Sequence, residues 1–290
     1  MQPKQRRLME EIKEGFEGIV DIPEEVYRPL DAVNQSNLKE LLNSYDKYNH
    51  MKNFGISSDA LIFGSAFHSY IEDENKFKTE YAIAPNCRKG SKEWKEFESN
   101  AGKKKILKAQ DLDLIKEMHL SLATHPIGSQ LLSDGLAVKE HCFFWNRSDI
   151  HLNRIWCKAK FDMHTSANYL VDWKTTKDAS PDGFLRQVKN YKMNFQAAYY
   201  MSGMEALGHP VEGFIFAAVE KHPPHTCGFY LLSEESIAKG KELVEIAFQK
   251  YSTFNQLNSK GELNKSLLHQ GYNKNLVVLD TPTFSHWENE

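Results

Sequence analysis

Three charged side chains near the middle of the chain have the types and spacing needed for metal-assisted hydrolysis. Asp172 and Lys174 lie two residues apart in a strand-like segment of β-branched and aromatic residues, and Asp162 ends the preceding segment of the same kind. Side chains two apart on a strand point to the same face. Two carboxylates and an ammonium group on adjacent strands can therefore hold a hard divalent cation and a water molecule.

These three residues are predicted to lie on one β-hairpin. Its first strand covers about 154–163 and its second about 168–174, and the small polar residues of Thr165–Asn168 suit the turn between them. By itself, an Asp-x-Lys pair is more typical of a cross-strand salt bridge on an exposed sheet face. A catalytic role for this pair therefore depends on other residues of the chain.

Composition narrows the class of protein. The chain has 290 residues and a net charge of −3, which disfavours a plain nucleic-acid binder but allows a nuclease whose acidic site binds cations. Its four cysteines are scattered without a C-x-x-C pair, so no iron–sulfur cluster or zinc site is expected. No run of apolar residues is long enough to cross a membrane, and no signal peptide is recognisable. We expect a cytoplasmic enzyme.

The order of helical and strand-like segments predicts one α/β domain. It comprises an N-terminal helical segment (1–56), a core (57–257) and a C-terminal tail (258–290). A short helix is predicted within 1–20, and another follows Ser36 as its N-cap. Residues 182–208 are predicted to be helical, with a joint near Met193.

Several residues outside the hairpin could contribute to the same site. Gly64 and His68 share one face of a predicted helix whose small residues suit close packing, and Gln196 and Tyr200 share a face of a later helix. A lone histidine is more often a core residue, and the second helix could simply be half-buried. Glu140 could point at the same face, but a surface position is favoured. The triplet 103–105, all lysine, is expected to form a solvated turn, with contact to phosphate as the less favoured alternative.

In this order and at these spacings, the residues resemble the PD-(D/E)XK nuclease superfamily, in its RecB-like branch. The matching elements are Gly64-x-x-x-His68, then Asp162, Asp172-x-Lys174 and Gln196-x-x-x-Tyr200. The sequence around these motifs, including Phe63–His68 and Val171–Thr176, looks most like the nuclease domain of RecE (exonuclease VIII) and its phage relatives. Trp173 departs from the smaller apolar residue that is common there.

The resemblance implies a mixed central sheet flanked by helices and a Mg²⁺-dependent 5′→3′ exonuclease acting on double-stranded DNA ends, with Mn²⁺ as a substitute. It also implies a ring-shaped homo-oligomer that supplies 3′ single strands for recombination to a single-strand annealing protein. Lys174 would position the attacking water beside Gln196 and Tyr200. The expected metal ligands are His68, Asp162, Asp172 and the carbonyl of Trp173, and the candidate DNA contacts are Arg88, Lys89 and Arg186.

Three other functions remain open at this point. The same fold could carry a structure-selective or nicking endonuclease, because the catalytic residues do not determine whether a DNA end is needed. A non-catalytic DNA-binding protein is disfavoured, because the Asp162, Asp172 and Lys174 set is complete. A hydrolase of another phosphoester is also compatible with the net charge.

Overall fold

The computed structural model describes residues 12–55, 58–263 and Leu268. Its strands are β1 (Gly18–Val20), β2 (Tyr81–Ala84), β3 (Lys105–Lys108), β4 (Val138–Lys139), β5 (Cys142–Ser148), β6 (Arg154–Lys160), β7 (Met163–His164), β8 (Tyr169–Thr176), β9 (Gly213–Glu220) and β10 (Cys227–Leu231). Its helices are α1 (Glu24–Tyr27), α2 (Gln35–Glu40), α3 (Tyr45–Phe54), α4 (Asp59–Glu72), α5 (Glu74–Glu80), α6 (Lys92–Ala101), α7 (Ala109–Thr124), α8 (Pro126–Leu132), α9 (Pro181–Asn190), α10 (Met193–Ala206) and α11 (Glu234–Ser259).

The strands are arranged in three sheets within the described residues. The five-stranded sheet has the order β10–β9–β8–β7–β4, the three-stranded sheet has the order β1–β5–β6, and β2 pairs with β3. In the large sheet β8 runs parallel to β9 and antiparallel to β7. This is the mixed central sheet flanked by helices that the sequence predicts, and the hairpin joining β7 to β8 is confirmed.

A long antiparallel hairpin links the two larger sheets and bends where it passes between them. Lys139 pairs with Met163 on one side of the bend and Cys142 pairs with Lys160 on the other, so the register continues across it. At the bend the backbone of Glu140 turns to a φ of 54°. The single strand predicted over 154–163 is therefore interrupted, between β6 and β7.

The central strand β8 separates two hydrophobic cores. Leu170 belongs to the core built around α10 and α11, whereas Val171 and Trp173 belong to the core formed with α4 and α7. Alternation along the strand accordingly turns Asp172 and Lys174 towards the α10 side. The two cores hold β8 from both faces, and a rigid strand is the appropriate support for a catalytic pair.

Helix α4 packs one face on this sheet. Ser58 caps its first turn by accepting a hydrogen bond from the backbone of Leu61 at 3.2 Å, and Ala66 and Phe67 are fully buried. The expectation that its small residues all serve close packing is wrong for Gly64, because a β-carbon added there would meet no atom within 4 Å. The buried face of α4 fixes the direction of the neighbouring His68.

Two predictions for the N-terminal segment need correction. Of the helix predicted within 1–20, residues 1–11 lie outside the described part, and Gly18–Val20 form β1, which pairs with β5. These residues form a strand because they pair with the edge of β5. That edge exists only in the folded sheet, so the local sequence pattern does not indicate it. The N-cap of α2 is Asn34, not Ser36, because the Asn34 side chain accepts the hydrogen bond from the backbone of Asn37 at 2.9 Å.

The joint predicted within 182–208 is confirmed. Helix α9 ends at Asn190 and α10 begins at Met193. Lys192 between them has a φ of 49°, in the left-handed region that interrupts a helix. Because of this break, α10 runs in a different direction from α9. The first turn of α10 lies against β8 at the candidate site.

Candidate active site

Three potential metal ligands from distant parts of the sequence converge beside β8. One ligand atom each from His68, Glu140 and Asp162 lies within 4.8 Å of the others. His68 comes from α4, and the two carboxylates come from the paired arms of the bent hairpin. An imidazole and two carboxylates at this separation are a suitable set of ligands for a divalent cation.

Backbone contacts attach this cluster to the central strand. The backbone N–H of Trp173 donates to Asp162 Oδ2 at 2.9 Å. His68 Nδ1 lies 3.3 Å from the same carboxylate oxygen, and its Nε2 lies 2.6 Å from the carbonyl oxygen of Trp173. The Trp173 peptide therefore sits between the cluster and Asp172, and its carbonyl is directed at the imidazole.

Asp172 and Lys174 form the second half of the site, on the α10 side of β8. Lys174 Nζ lies 2.5 Å from Asp172 Oδ2. Gln196, in the first turn of α10, donates from Nε2 to Asp172 Oδ1 at 2.5 Å and has its Oε1 3.4 Å from Lys174 Nζ. The amide of Gln196 thus holds both charged groups in place, as the shared helix face predicts.

One carboxylate oxygen of this arrangement relies on a single contact. Asp172 Oδ2 lies 2.5 Å from the Lys174 ammonium, and this ion pair is its only polar partner among the described residues. Only 7% of the Asp172 side chain is exposed. Each carboxylate oxygen has two lone pairs, so Oδ2 can ligate a metal ion in addition to this contact. The donor set of this site fits a hard divalent cation.

The pKa shifts of the site residues also favour binding of a cation. Burial raises the pKa of Asp172, and the charge of Asp162 adds to that rise against the opposing charge of Lys174. Burial and the charge of Asp162 also raise the pKa of Glu140. Burial alone would lower the pKa of His68, but the adjacent Asp162 raises it to about 9. The crowded carboxylates repel one another, and a bound cation would relieve that repulsion.

Glu140 is the main site residue that the sequence assigns wrongly. It was expected at the surface, yet only 14% of its side chain is exposed, and its carboxylate forms an ion pair with Lys160. The hairpin register explains its position, because the backbone N–H of Glu140 donates to the carbonyl of Asp162 at 3.0 Å. The turn of this hairpin lies between β5 and β6. Pairing residues outward from that turn, one by one along the two arms, places Glu140 opposite Asp162. That count is the signal by which sequence reasoning could have found Glu140.

Tyr200 lies deeper than a substrate contact requires. It is 9% exposed and packs edge-to-face on Phe143 and Phe214. Burial raises the pKa of its hydroxyl well above the ordinary value, and the charges of Asp172 and Asp162 raise it further. Its proximity to the carboxylates agrees with the predicted shared face with Gln196, and its packing shows that the ring also supports the core.

An open cleft leads to the metal-ligand cluster. His68, Glu140 and Asp162 lie in its wall. The predicted DNA contacts do not line it in the described part of the chain: Lys89 pairs with Asp59 at 3.5 Å, and Arg186 pairs with Asp178 at 3.4 Å. The remaining charged and polar groups of the cleft are Glu24, Glu25, Arg28, Ser65, Ser69, Glu72, Lys76, Glu80, Tyr81, Lys103, Lys105 and Lys160.

The position of Glu140 gives a direct test of its role. We expect Glu140→Gln to lower DNA cleavage by at least tenfold and to raise the cation concentration needed for half-maximal activity, because a neutral amide is a weaker ligand for a hard cation. Titration of cleavage against Mg²⁺ measures both effects. The matched control is Glu25→Gln, which removes a carboxylate from the same cleft at a residue outside the cluster. Unchanged cation dependence in Glu140→Gln would remove Glu140 from the ligand set.

Comparison with known proteins places this geometry in a family. Residues 34–263 match the family described as "PDDEXK-like domain of unknown function (DUF3799)". No curated protein matches the chain in sequence.

Among solved structures, one described as "Putative exonuclease" from Eubacterium rectale aligns with a TM-score of 0.58 at 14% identity, covering 91% of this chain and 96% of that one. A second, SSO0001, aligns at 12% identity over 73% of this chain and 82% of that one, with a TM-score of only 0.29. The first similarity supports the fold, and the second carries no argument.

None of the described helices is both long and apolar enough to span a membrane.

Proposed function

The chain belongs to the family of PDDEXK-like domains (DUF3799), and on that basis we propose that it is a metal-dependent deoxyribonuclease that degrades double-stranded DNA from 5′ ends. The observation that carries this proposal is the cluster of His68, Glu140 and Asp162 in the wall of one cleft, joined through the Trp173 peptide to the Asp172–Lys174 pair on β8. Family and fold favour a nuclease. The 5′→3′ direction rests on the resemblance to RecE-type nucleases alone.

The proposed cation is Mg²⁺, with Mn²⁺ as a substitute, because the donor set consists of carboxylate and carbonyl oxygens with one imidazole. The residues that would hold it are His68, Glu140, Asp162, Asp172 and the carbonyl of Trp173. When bound, such a cation polarises a phosphoryl oxygen and lowers the pKa of a coordinated water.

The protein side chains supply the remaining contributions. Lys174, 29% exposed, can reach both solvent and Asp172, so its ammonium can orient the attacking water and stabilise negative charge on the phosphate. The side-chain amide of Gln196 contacts both Lys174 and Asp172 and so fixes their positions relative to each other. Fixing these groups before the substrate arrives lowers the reorganisation needed during hydrolysis.

The same resemblance extends the proposal to partners. Several copies of the chain would form a ring on the DNA, and the 3′ single strands that they leave would pass to a single-strand annealing protein during recombination. The proposed compartment is the cytoplasm of a bacterium or of a phage-infected bacterial cell.

End-labelled duplex DNA tests the direction of degradation. We expect a label on the 5′ end to be released before a label on the 3′ end, leaving 3′ single strands. The matched control is the same linear duplex with its labels exchanged between the two ends. Release of the 3′ label first would reverse the proposed direction. Release at internal sites would favour the endonuclease alternative.

A further inference from the structure

The cleft contains two lysines whose surroundings suit the backbone of a nucleic acid. We propose that Lys103 and Lys105 bind backbone phosphates of the DNA strand adjacent to the scissile phosphate, an inference that rests on the proposed function. Both line the cleft that leads to His68 and Asp162. They follow α6 in sequence, and neither belongs to the metal-ligand cluster.

Lys103 and Lys105 differ from the other basic side chains of the cleft in that they form no ion pair with a described residue. Three other basic side chains of the cleft are already neutralised in ion pairs: Arg28 with Glu24 at 2.9 Å, Lys76 with Glu72 at 2.5 Å, and Lys160 with Glu140.

Lys103 and Lys105 line the same cleft without an ion pair to any described residue. Unpaired ammonium groups are free to neutralise phosphates and release the counterions that these bind.

The local backbone explains why these two lysines face the cleft and the one between them does not. Lys105 begins β3, directly opposite Tyr81 on β2. Its ammonium lies 5.3 Å from the centre of the Tyr81 ring and 3.5 Å from the Tyr81 hydroxyl. Tyr81 also lines the cleft, so it directs Lys105 into the open space.

Lys104 points in another direction. Its ammonium donates to the backbone carbonyl of Lys78 at 2.8 Å, and the residue lines a separate pocket with Asp59 and Asp111. Lys103 and Lys104 lie in the turn that precedes β3, and only Lys105 belongs to the strand. The triplet thus presents two of its lysines to the cleft and one to a separate pocket.

The lining of the cleft favours a chain of phosphates over a single small anion. The same cleft contains both the metal ligands His68 and Asp162 and the two lysines. Because Lys103 and Lys105 are not part of the metal-ligand cluster, they can contact phosphates that are not cleaved. Such contacts strengthen binding without contributing to the chemical step.

Three single variants and one double variant test the inference. We expect Lys103→Ala and Lys105→Ala each to raise KM for linear duplex DNA several-fold while leaving kcat within about twofold, and the double variant to have the larger effect. The slope of log(kcat/KM) against log[salt] should become shallower by about one for each lysine removed. Lys104→Ala is the matched control, because it removes the same charge from the adjacent residue, and it should leave KM and the salt slope unchanged.

The outcomes separate this inference from the proposed function. An equal loss in Lys104→Ala, or an unchanged KM in the double variant, would overturn the assignment of Lys103 and Lys105. Failure of the wild-type protein to cleave DNA would instead count against the proposed function. In that case anisotropy of a fluorescent duplex, titrated with the wild-type protein and the same four variants at several salt concentrations, still decides whether these lysines bind phosphates. Thermal unfolding of each variant verifies that the protein is folded.

Discussion

Asp162→Ala and Asp172→Ala are each expected to reduce metal-dependent DNA cleavage to background. Asp162 belongs to the cluster with His68 and Glu140, and Asp172 carries a buried oxygen whose one described polar partner is the Lys174 ammonium. Loss of either carboxylate removes a hard oxygen ligand from the proposed cation. Cleavage of linear duplex at several Mg²⁺ concentrations measures the effect.

These two substitutions need controls for folding. Removing Asp172 leaves the amide of Gln196 and the ammonium of Lys174 without their partner, which can destabilise the buried region. Asp162→Asn and Asp172→Asn keep the side-chain volume and should be equally inactive at near-native melting temperatures. Asp113→Ala, which removes an exposed carboxylate on α7, should retain full activity. Wild-type turnover in either alanine variant would show that the site is wrongly assigned.

Lys174→Ala is expected to lower the cleavage rate by about 10²–10³-fold, because it removes one pre-positioned group that stabilises developing charge. DNA binding and cation dependence should change little, since Lys174 is not a ligand. Lys174→Arg should not restore the rate, because the larger guanidinium cannot place a water in the same position beside Asp172. Lys177→Ala, at an exposed position three residues further on, is the control.

Single-turnover rates at saturating Mg²⁺ separate the possible roles of this lysine. A slow chemical step with an unchanged cation requirement supports a role in water positioning and charge stabilisation. A normal rate at saturating Mg²⁺, combined with weaker cation binding, would contradict it and leave Lys174 as a counter-charge for Asp172.

Local pattern was sufficient to predict the central strand and the side chains that meet on its α10 side. Asp172 and Lys174 share a face because a strand has a period of two, and Gln196 reaches them because helix α10 starts beside β8. His68 was predicted from its helical spacing with Gly64. Each of these relations depends on residues close together in sequence or on a motif with fixed order.

Features that depend on long-range pairing were not predictable in the same way. Glu140 is half-buried because the hairpin register places it opposite Asp162, 22 positions later in the sequence. The lysines 103–105 are exposed, as expected, but the pairing of β3 with β2 that places Lys105 opposite Tyr81 could not be predicted from local pattern. The partial burial of Glu140 arises from the assembled fold, so the local sequence favoured the surface for this residue.

Incubation of the purified protein with linear duplex DNA and with covalently closed circular duplex, each with Mg²⁺ and with a chelator, tests the central claim most directly. The site of His68, Glu140, Asp162, Asp172 and Lys174 predicts loss of the linear duplex in the presence of Mg²⁺ and none in the presence of the chelator. The proposed requirement for a DNA end, which rests on the resemblance to RecE-type nucleases, predicts survival of the closed circle. Cleavage that persists with the chelator, or an intact linear duplex at saturating Mg²⁺, would contradict the claim that this chain is a metal-dependent nuclease acting on DNA ends.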